Sequence, residues 1–96
     1  MKKIIILIPI FNDWDSFSKL IKEINENIES YKNIHFDCLA VNDASTIDQP
    51  TLVKPKNIKN LKILNMKENK GHARCNAFGI RYVFKNKEFN NLILMD

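Results

Sequence analysis

The fold is decided by the stretch Ile4-Ile5-Ile6-Leu7-Ile8, which runs directly into Pro9-Ile10-Phe11-Asn12. A short apolar run without polar alternation is typical of a strand that is covered on both faces. Three more runs are built in the same way: Phe36 to Val41, Leu61 to Met66 and Asn91 to Asp96. Since strands of this kind usually pair in parallel through crossover helices, we expect an α/β protein with a Rossmann-like, mostly parallel sheet.

Two of the segments between these runs have helical spacing. In the first, apolar residues recur every three or four positions, which predicts one buried stripe, with Asp13 or Asp15 as the cap. This stripe consists of Trp14, Phe17, Leu20, Ile21, Ile24 and Ile28. In the second helix, which follows Gly71, the predicted stripe consists of Ala73, Ala77, Ile80 and Phe84. Residues 44–60 contain two prolines, so we predict a loop there with one helical turn.

Size and charge limit the classes of function. The 96 residues allow one domain, and their formal charge of +4 comes from scattered lysines rather than a dense basic block, so we expect no nucleic-acid partner. No segment approaches the roughly 20 apolar residues of a membrane span, which favours a cytoplasmic protein and leaves peripheral membrane attachment open. Cys38 and Cys75 are expected to be reduced, partly buried thiols rather than a disulfide or a zinc site.

Polar residues gather where the predicted strands end. Asn12 follows the first run, Asp43 follows the second, and Asp96 ends the fourth. Ligands of open parallel sheets bind beyond the carboxyl ends of the strands, so these residues are candidates for one shared site. Aspartate is also a common turn former at strand ends, and this structural alternative stays open from position alone.

Four segments, in order, resemble the motifs in the amino-terminal half of a family 2 glycosyltransferase with the GT-A fold. Ile8-Pro9-Ile10-Phe11-Asn12 is similar to the family's Pro-x-Tyr-Asn turn, with Phe11 in place of Tyr. Val41-Asn42-Asp43-Ala44-Ser45-Thr46 is similar to its Asn-Asp-x-Ser-Thr segment, although Asp48 lies one residue later than the usual Asp. Asn69 to Gly79 is close to its Asn-x-Gly and Asn-x-x-Gly helix, and Leu92 to Asp96 looks like the strand that opens Asp-x-Asp.

The resemblance implies a site for the nucleotide-diphosphate sugar donor of metal-assisted sugar transfer, as in polysaccharide biosynthesis. Pro9, Ile10, Phe11 and Asn12 would form the floor beneath the nucleotide, and Asp43 would accept hydrogen bonds from the base. Lys70 and Arg74 would contact the nucleotide or phosphate. Asp96 would face the ribose or hold a divalent metal, Mn or Mg, through water. The acceptor, whether a saccharide, a lipid or a protein, is not specified.

Residues 1–96 would then be the amino-terminal, nucleotide-binding part of a single GT-A domain that stops at Asp-x-Asp. The catalytic base is expected beyond Asp96, so these residues alone are expected to bind but not to turn over. A nucleotidyltransferase and a non-catalytic nucleotide-binding or interaction module remain as alternatives. A dinucleotide-binding domain is disfavoured because no Gly-x-Gly-x-x-Gly follows the first strand, and a receiver because Lys67 follows the third.

Overall fold

A computed structural model describes residues 1–95 as an alternation of strands and helices in the predicted order. The elements are β1 (Lys2–Ile10), α1 (Trp14–Ile28), β2 (Ile34–Asn42), β3 (Asn60–Asn65), α2 (His72–Asn86) and β4 (Asn91–Leu94). Asp96, the predicted ribose or metal contact, lies outside the described residues. Within residues 1–95, no helix is long and apolar enough to cross a membrane.

The four strands form one all-parallel sheet in the order β3-β2-β1-β4. This arrangement confirms the predicted α/β, Rossmann-like architecture. From β1 the chain moves outward through β2 to β3 and then returns to place β4 on the other side of β1. The strand order therefore reverses between β1 and β4, and open α/β sheets bind their ligands at such a switch point.

The helices cover opposite faces of the sheet. Alternate residues of β1 point to the two sides, with Ile6 and Ile8 in the cluster under α1, and Ile5 and Leu7 in the cluster under α2. Because both faces are buried, β1 is apolar without alternation. The predicted stripe of α1 is confirmed, since four of its residues are buried and two are partly buried against the same cluster.

The predicted stripe of α2 is wrong for three of its four residues, and only Ile80 is partly buried against the core. The buried residues of this helix are Cys75, Gly79 and Val83, whereas Ala73 and Ala77 are exposed and Phe84 is 70% exposed. Gly79 explains the difference, because a Cβ at this position would lie 2.6 Å from Leu7 Cδ1. The row that contains the glycine allows the helix axis to approach the sheet most closely, so this row is the one that packs.

Residues 44–59 form an irregular segment, as predicted, although the expected helical turn is not formed there. The segment is fixed by the completely buried Ile58 and by paired hydrogen bonds between Asn57 and Asn25 of α1. Asn57 N donates to Asn25 Oδ1 at 2.8 Å, and Asn57 Nδ2 donates to the Asn25 carbonyl at 2.9 Å. The segment is therefore an ordered connection that leads the chain into β3.

The amino edge of the sheet carries a polar cluster around Asp37, which is 8% exposed. Its carboxylate contacts Lys3 Nζ at 3.4 Å, His35 Nε2 at 2.7 Å and Asn60 Nδ2 at 2.9 Å. These partners come from β1, β2 and β3, so the cluster joins three strands. A buried carboxylate with this many partners stabilises the sheet edge, and it lies at the opposite end from the predicted site.

Both cysteines are free and buried, as predicted, and they lie in different core clusters on opposite faces of the sheet. Burial raises the pKa of the Cys38 thiol from 9.0 to about 12, and the Asp37 carboxylate adds to the rise. Burial also raises the pKa of Cys75 to about 11, with a further contribution from Asp43. Both groups are therefore neutral thiols in the folded chain.

We expect neither thiol to react with a thiol-specific reagent in the folded protein, and both to react after unfolding in guanidinium. Thiols in the unfolded chain ionise near 9.0, whereas the folded thiols stay protonated to about 11 and about 12. A folded pKa above the unfolded value stabilises the fold below pH 9.0, and this contribution is lost as the pH rises from there towards 11 and 12. Rapid labelling of either cysteine under native conditions would contradict the burial.

Candidate functional site

Asn12 joins the end of β1 to the segment after β2. Its backbone has a φ of 62°, a left-handed conformation that asparagine tolerates better than most residues. The side-chain oxygen accepts hydrogen bonds from the backbone N–H groups of Thr46 at 2.8 Å and Ile47 at 2.9 Å. The Asn12 backbone N–H donates to Ser45 Oγ at 2.9 Å. The first and second motif segments are therefore bound directly to each other.

Asn42 organises the turn at the end of β2. Its side-chain oxygen accepts hydrogen bonds from the Ser45 hydroxyl and from the Ser45 backbone N–H, the latter at 3.1 Å. Its Nδ2 donates to Asn65 Oδ1 at 3.0 Å, across the register pair that ends β2 and β3. Ala44 lies between Asn42 and Ser45 and has a φ of 56°, a costly conformation for a residue with a Cβ. The hydrogen bonds between Asn42 and Ser45 hold it there.

Asp43 is completely buried, and both of its carboxylate oxygens accept backbone hydrogen bonds. Oδ1 accepts from Lys70 N at 2.7 Å, and Oδ2 accepts from Gly71 N at 2.9 Å. The Asp43 N–H itself donates to the Ile10 carbonyl at 2.8 Å. Asp43 thus joins the ends of β1 and β2 to the start of α2. A base reaches this carboxylate only if the Lys70–Gly71 segment moves.

The start of α2 is open to an anion. Gly71 is the N-cap, with a φ of 84°, and has no side chain of its own with which to cap the helix. The Asp43 carboxylate accepts the Gly71 N–H, so the N–H groups of residues 72–74 are the ones left for a ligand. The first turn carries no acid, and Lys70, His72 and Arg74 surround it with exposed side chains. The free N–H groups and the positive end of the helix dipole both favour a negative ligand at this position.

The start of α1 lies at the same edge of the sheet but has the opposite character. Asp13 occupies the N-cap position, and Asp15 lies in the first turn. The Asp13 side chain does not cap α1, in contrast to one of the two predictions, because its Oδ1 accepts the Phe11 N–H at 3.0 Å. Two exposed acids repel an anion at α1. At α2 the carboxylate of Asp43 is buried and the exposed side chains of Lys70 and Arg74 are positive, so a phosphate at this edge is favoured at α2.

The side chain of Lys70 is already engaged, although weakly. Its Nζ lies 2.6 Å from Glu68 Oε1, and both side chains are exposed. The hydrogen bond and the charge of Lys70 hold the pKa of Glu68 below its usual value. Because exposed ion pairs contribute little to stability, a phosphate can replace Glu68 as the partner of Lys70 at small cost.

Pro9 opens the switch point between β1 and β4. Within residues 1–95, the last bond along this pair of strands is donated by Met95 N to the Leu7 carbonyl at 2.9 Å. In a strand, the backbone groups of every second residue face the same neighbouring strand. The backbone of Pro9 therefore faces β4, as that of Leu7 does, but Pro9 has no N–H to donate. A cavity of about 100 Å³ beside Pro9 and Asp13 marks this end of the sheet. It is too small for a nucleotide, which would have to lie across the open edge.

The structure therefore brings Pro9, Ile10, Asn12, Asp43 and Lys70 to one edge of the sheet. Phe11 lies there with 39% of its surface exposed, and Arg74 lies in the first turn of α2. The sequence interpretation assigned no role to four residues that make hydrogen bonds at this edge: Asn42, Ser45, Thr46 and Asn65. An asparagine at the end of two neighbouring strands was the available signal.

No protein-family model, no curated protein and no solved structure significantly matches this chain. The resemblance to glycosyltransferases therefore depends on the motifs themselves and on how their residues are arranged.

A divalent metal has no ligand set among the described residues. Within residues 1–95, no group of three or more His, Cys, Asp or Glu side chains could hold a metal ion. The carboxylate of Asp43 is completely buried, and each of its oxygens already accepts one backbone N–H, so it is not presented to a cation at the surface. Residues 1–95 do not by themselves fit the predicted Mn or Mg, and Asp96 is the ligand candidate outside them.

We expect Asn12→Ala to lower the free energy of unfolding by about 1–3 kcal/mol, because two backbone N–H groups lose their acceptor. The amide protons of Thr46 and Ile47 should also exchange faster with solvent, as measured by NMR. Asn12→Gly is the informative companion, since it removes the same acceptor but accepts the positive φ without strain. If the Thr46 and Ile47 amides exchanged no faster in the glycine variant than in the native chain, the hydrogen bonds of Asn12 would not matter.

Proposed function

We propose that the carboxyl edge of the sheet binds a nucleoside diphosphate sugar, and that the chain is the donor-binding part of a family 2-like glycosyltransferase. One observation supports this most directly. The segments that resemble three separate motifs of the family are hydrogen-bonded to one another, Asn12 to Thr46 and Asp43 to Gly71. Residues 34 and 28 positions apart thus form one unit at the edge where α/β sheets bind ligands.

In this proposal the diphosphate lies at the start of α2. The free N–H groups of the first turn and the side chains of Lys70 and Arg74 supply its counter-charge. The nucleoside lies towards β1, over the exposed ring of Phe11 and the chain from Pro9 to Asn12. Asp43 fixes the Lys70–Gly71 backbone through its two hydrogen bonds. The base contacts the Asp43 carboxylate directly only after that segment has moved.

The chemistry of sugar transfer explains the value of this arrangement. When the bond between the sugar and the diphosphate breaks, negative charge grows on the leaving diphosphate. Groups held in place before the reaction stabilise that charge without having to reorganise, and the start of α2 is such a group. A divalent metal would add Lewis-acid stabilisation of the same charge. The base that takes the proton from the acceptor hydroxyl is not assigned to any residue.

Titration of the chain with uridine diphosphate, followed by calorimetry or amide NMR, tests the proposal. We expect binding that weakens with added salt, and we expect uridine alone to bind more weakly because it lacks the diphosphate. The largest amide shifts should fall on residues 70–74 and 10–12. If neither uridine diphosphate nor another nucleoside diphosphate shifts these amides, the proposed function is wrong, and a non-nucleotide interaction domain is the better assignment.

Arg74→Ala should weaken the binding of uridine diphosphate about tenfold, as expected for one lost charge-assisted contact at an exposed position. Arg81→Ala is the matched control, because it removes the same exposed side chain from the same helix, two turns away from the site. Equal effects from the two variants would mean that Arg74 acts only through the net charge of the chain.

A further inference from the structure

The outer face of α2 is unlike an ordinary solvated helix surface. We use the name outer α2 face for Phe78, Arg81, Phe84 and Lys85, which are all exposed. Phe84 is 70% exposed and Phe78 is 38% exposed. The face borders a groove of about 490 Å³ that is also lined by Tyr82 and Asn86. Two phenylalanines at the surface of one helix indicate a partner, since single exposed apolar residues are common but a clustered set is not.

The charge on this face has a single sign. The sequence of α2 contains three cations, Arg74, Arg81 and Lys85, and no acid. Two further cations, Lys62 and Lys87, extend the positive rim, with their Nζ atoms 5.3 Å and 6.0 Å from the centroid of the Tyr82 ring. The face is therefore complementary to a surface that is both negatively charged and able to receive aromatic rings.

Helix α1 supplies an internal comparison. Both of its aromatic residues, Trp14 and Phe17, are buried. Its exposed side mixes the two signs of charge, with Asp15, Lys19, Lys22, Glu23 and Glu26. This is the usual pattern of a solvated helix face. The two helices cover the same sheet, so the difference between them is not a requirement of the fold.

We propose that the outer α2 face binds the surface of an anionic lipid bilayer. Phe78 and Phe84 would enter the boundary between headgroups and acyl chains, while Arg81 and Lys85 contact lipid phosphates. A helix that carries basic side chains beside exposed aromatic rings is well suited to this boundary, where its charges stay hydrated and its rings leave water. The Phe84 ring packs edge to face against Phe89, with the ring centroids 5.2 Å apart, so it has a fixed neighbour although 70% of the residue is exposed.

A second copy of the chain fits this face less well, because a two-fold contact would bring the cations of the two copies together. An acidic peptide would satisfy the charges. However, Lys62 and Lys87 lie outside the lining of the groove, so the positive surface is wider than one bound segment would need. The bilayer satisfies both features, and the other two occupants are outcomes that the experiment can detect.

The test is sedimentation of the chain with vesicles of phosphatidylcholine alone and of phosphatidylcholine mixed with phosphatidylglycerol. We expect binding to the mixed vesicles only, and loss of that binding in high salt. Each cation near an anionic surface contributes about fivefold to partitioning, so Arg81→Ala with Lys85→Ala should lower it about 25-fold. Phe84→Ser should lower it further without changing the charge.

Lys19→Ala with Lys22→Ala is the matched control, because it removes two exposed cations from α1 and should change partitioning far less. All of these positions are exposed, and circular dichroism would verify that the variants fold. No binding to mixed vesicles, or equal losses from the α1 and α2 variants, would overturn the proposal. Light scattering that shows a dimer broken by Phe84→Ser, and not weakened by the Arg81 and Lys85 changes, would assign the face to a second copy instead.

Discussion

Replacing Asp43 with alanine should lower the free energy of unfolding by about 3–5 kcal/mol, the largest loss that we expect from a single polar side chain. Each of its two hydrogen bonds has a carboxylate acceptor, and removing it leaves a partly buried backbone N–H group without that partner, at about 1–3 kcal/mol each. The bonds run at 2.7 Å to Lys70 N and 2.9 Å to Gly71 N from a side chain that is completely buried. Urea unfolding followed by the fluorescence of Trp14 measures the loss.

Two further variants test whether the loss of stability comes from the Asp43 carboxylate itself or from the removal of one negative charge. Asp43→Asn keeps the shape but turns an NH₂ group towards a backbone N–H, so it should recover less than half of the loss. Asp48→Ala removes an exposed acid from the same loop and should be nearly neutral. If Asp43→Asn were as stable as the native chain, the carboxylate would not be the acceptor that holds the start of α2.

The same substitution also separates two roles for Asp43 in the proposed function. If Asp43 acts by fixing the Lys70–Gly71 backbone, Asp43→Ala should weaken the binding of uridine diphosphate and the binding of inorganic pyrophosphate by similar factors. If the carboxylate also contacts the base after the segment moves, uridine diphosphate should lose more. Comparing the two ligands at a temperature where the variant is folded decides between these roles.

The order of the elements could be predicted because it depends on local patterns. Apolar runs without alternation indicated strands buried on both faces, and the three- and four-residue spacing of Trp14, Phe17 and Ile21 indicated α1. The parallel sheet then follows, since strands that are covered on both faces usually pair in parallel through long crossover connections. The convergence of Asn12 and Asp43 at one edge follows from the same topology.

The details at that edge could not be predicted, because they depend on register and on loop conformation. Asn42 meets Asn65 only because β2 and β3 pair in that register. Whether Asp43 faces solvent or the chain depends on the path of residues 67–71, which requires a φ of 84° at Gly71. The sequence therefore predicted where Asp43 lies but not that both of its oxygens would be occupied.

The buried face of α2 was predicted wrongly for a different reason. This helix approaches the sheet most closely at Gly79, which has no side chain. A search for apolar residues favours Ala73, Ala77 and Phe84 over a row that contains Gly79. Close packing of a helix on a sheet depends on how near the two backbones can come, and only a glycine permits the distance found here. Phe84, which the apolar spacing placed on the buried stripe, is therefore exposed and belongs to the outer α2 face.

Gly79→Val should therefore lower the free energy of unfolding by about 2–3 kcal/mol, near the upper end of the usual cost of overpacking a core. The first added carbon already lies 2.6 Å from Leu7 Cδ1 and 3.0 Å from Val41 Cγ2, and neither neighbour has exposed surface into which it can move. Ala77→Val adds the same side chain to the exposed side of the helix and should cost only about 0.5–0.7 kcal/mol through helix propensity.

A double-mutant cycle with Leu7→Ala tests the cause, because the space left by Leu7 should reduce the cost of Gly79→Val and make the two effects clearly non-additive. Additive effects would mean that the valine is accommodated by some other movement. The consequence reaches the candidate site, since a helix moves largely as a rigid unit and a shift at Gly79 also displaces its start at Gly71. We therefore expect Gly79→Val, but not Ala77→Val, to weaken the binding of uridine diphosphate as well as the fold.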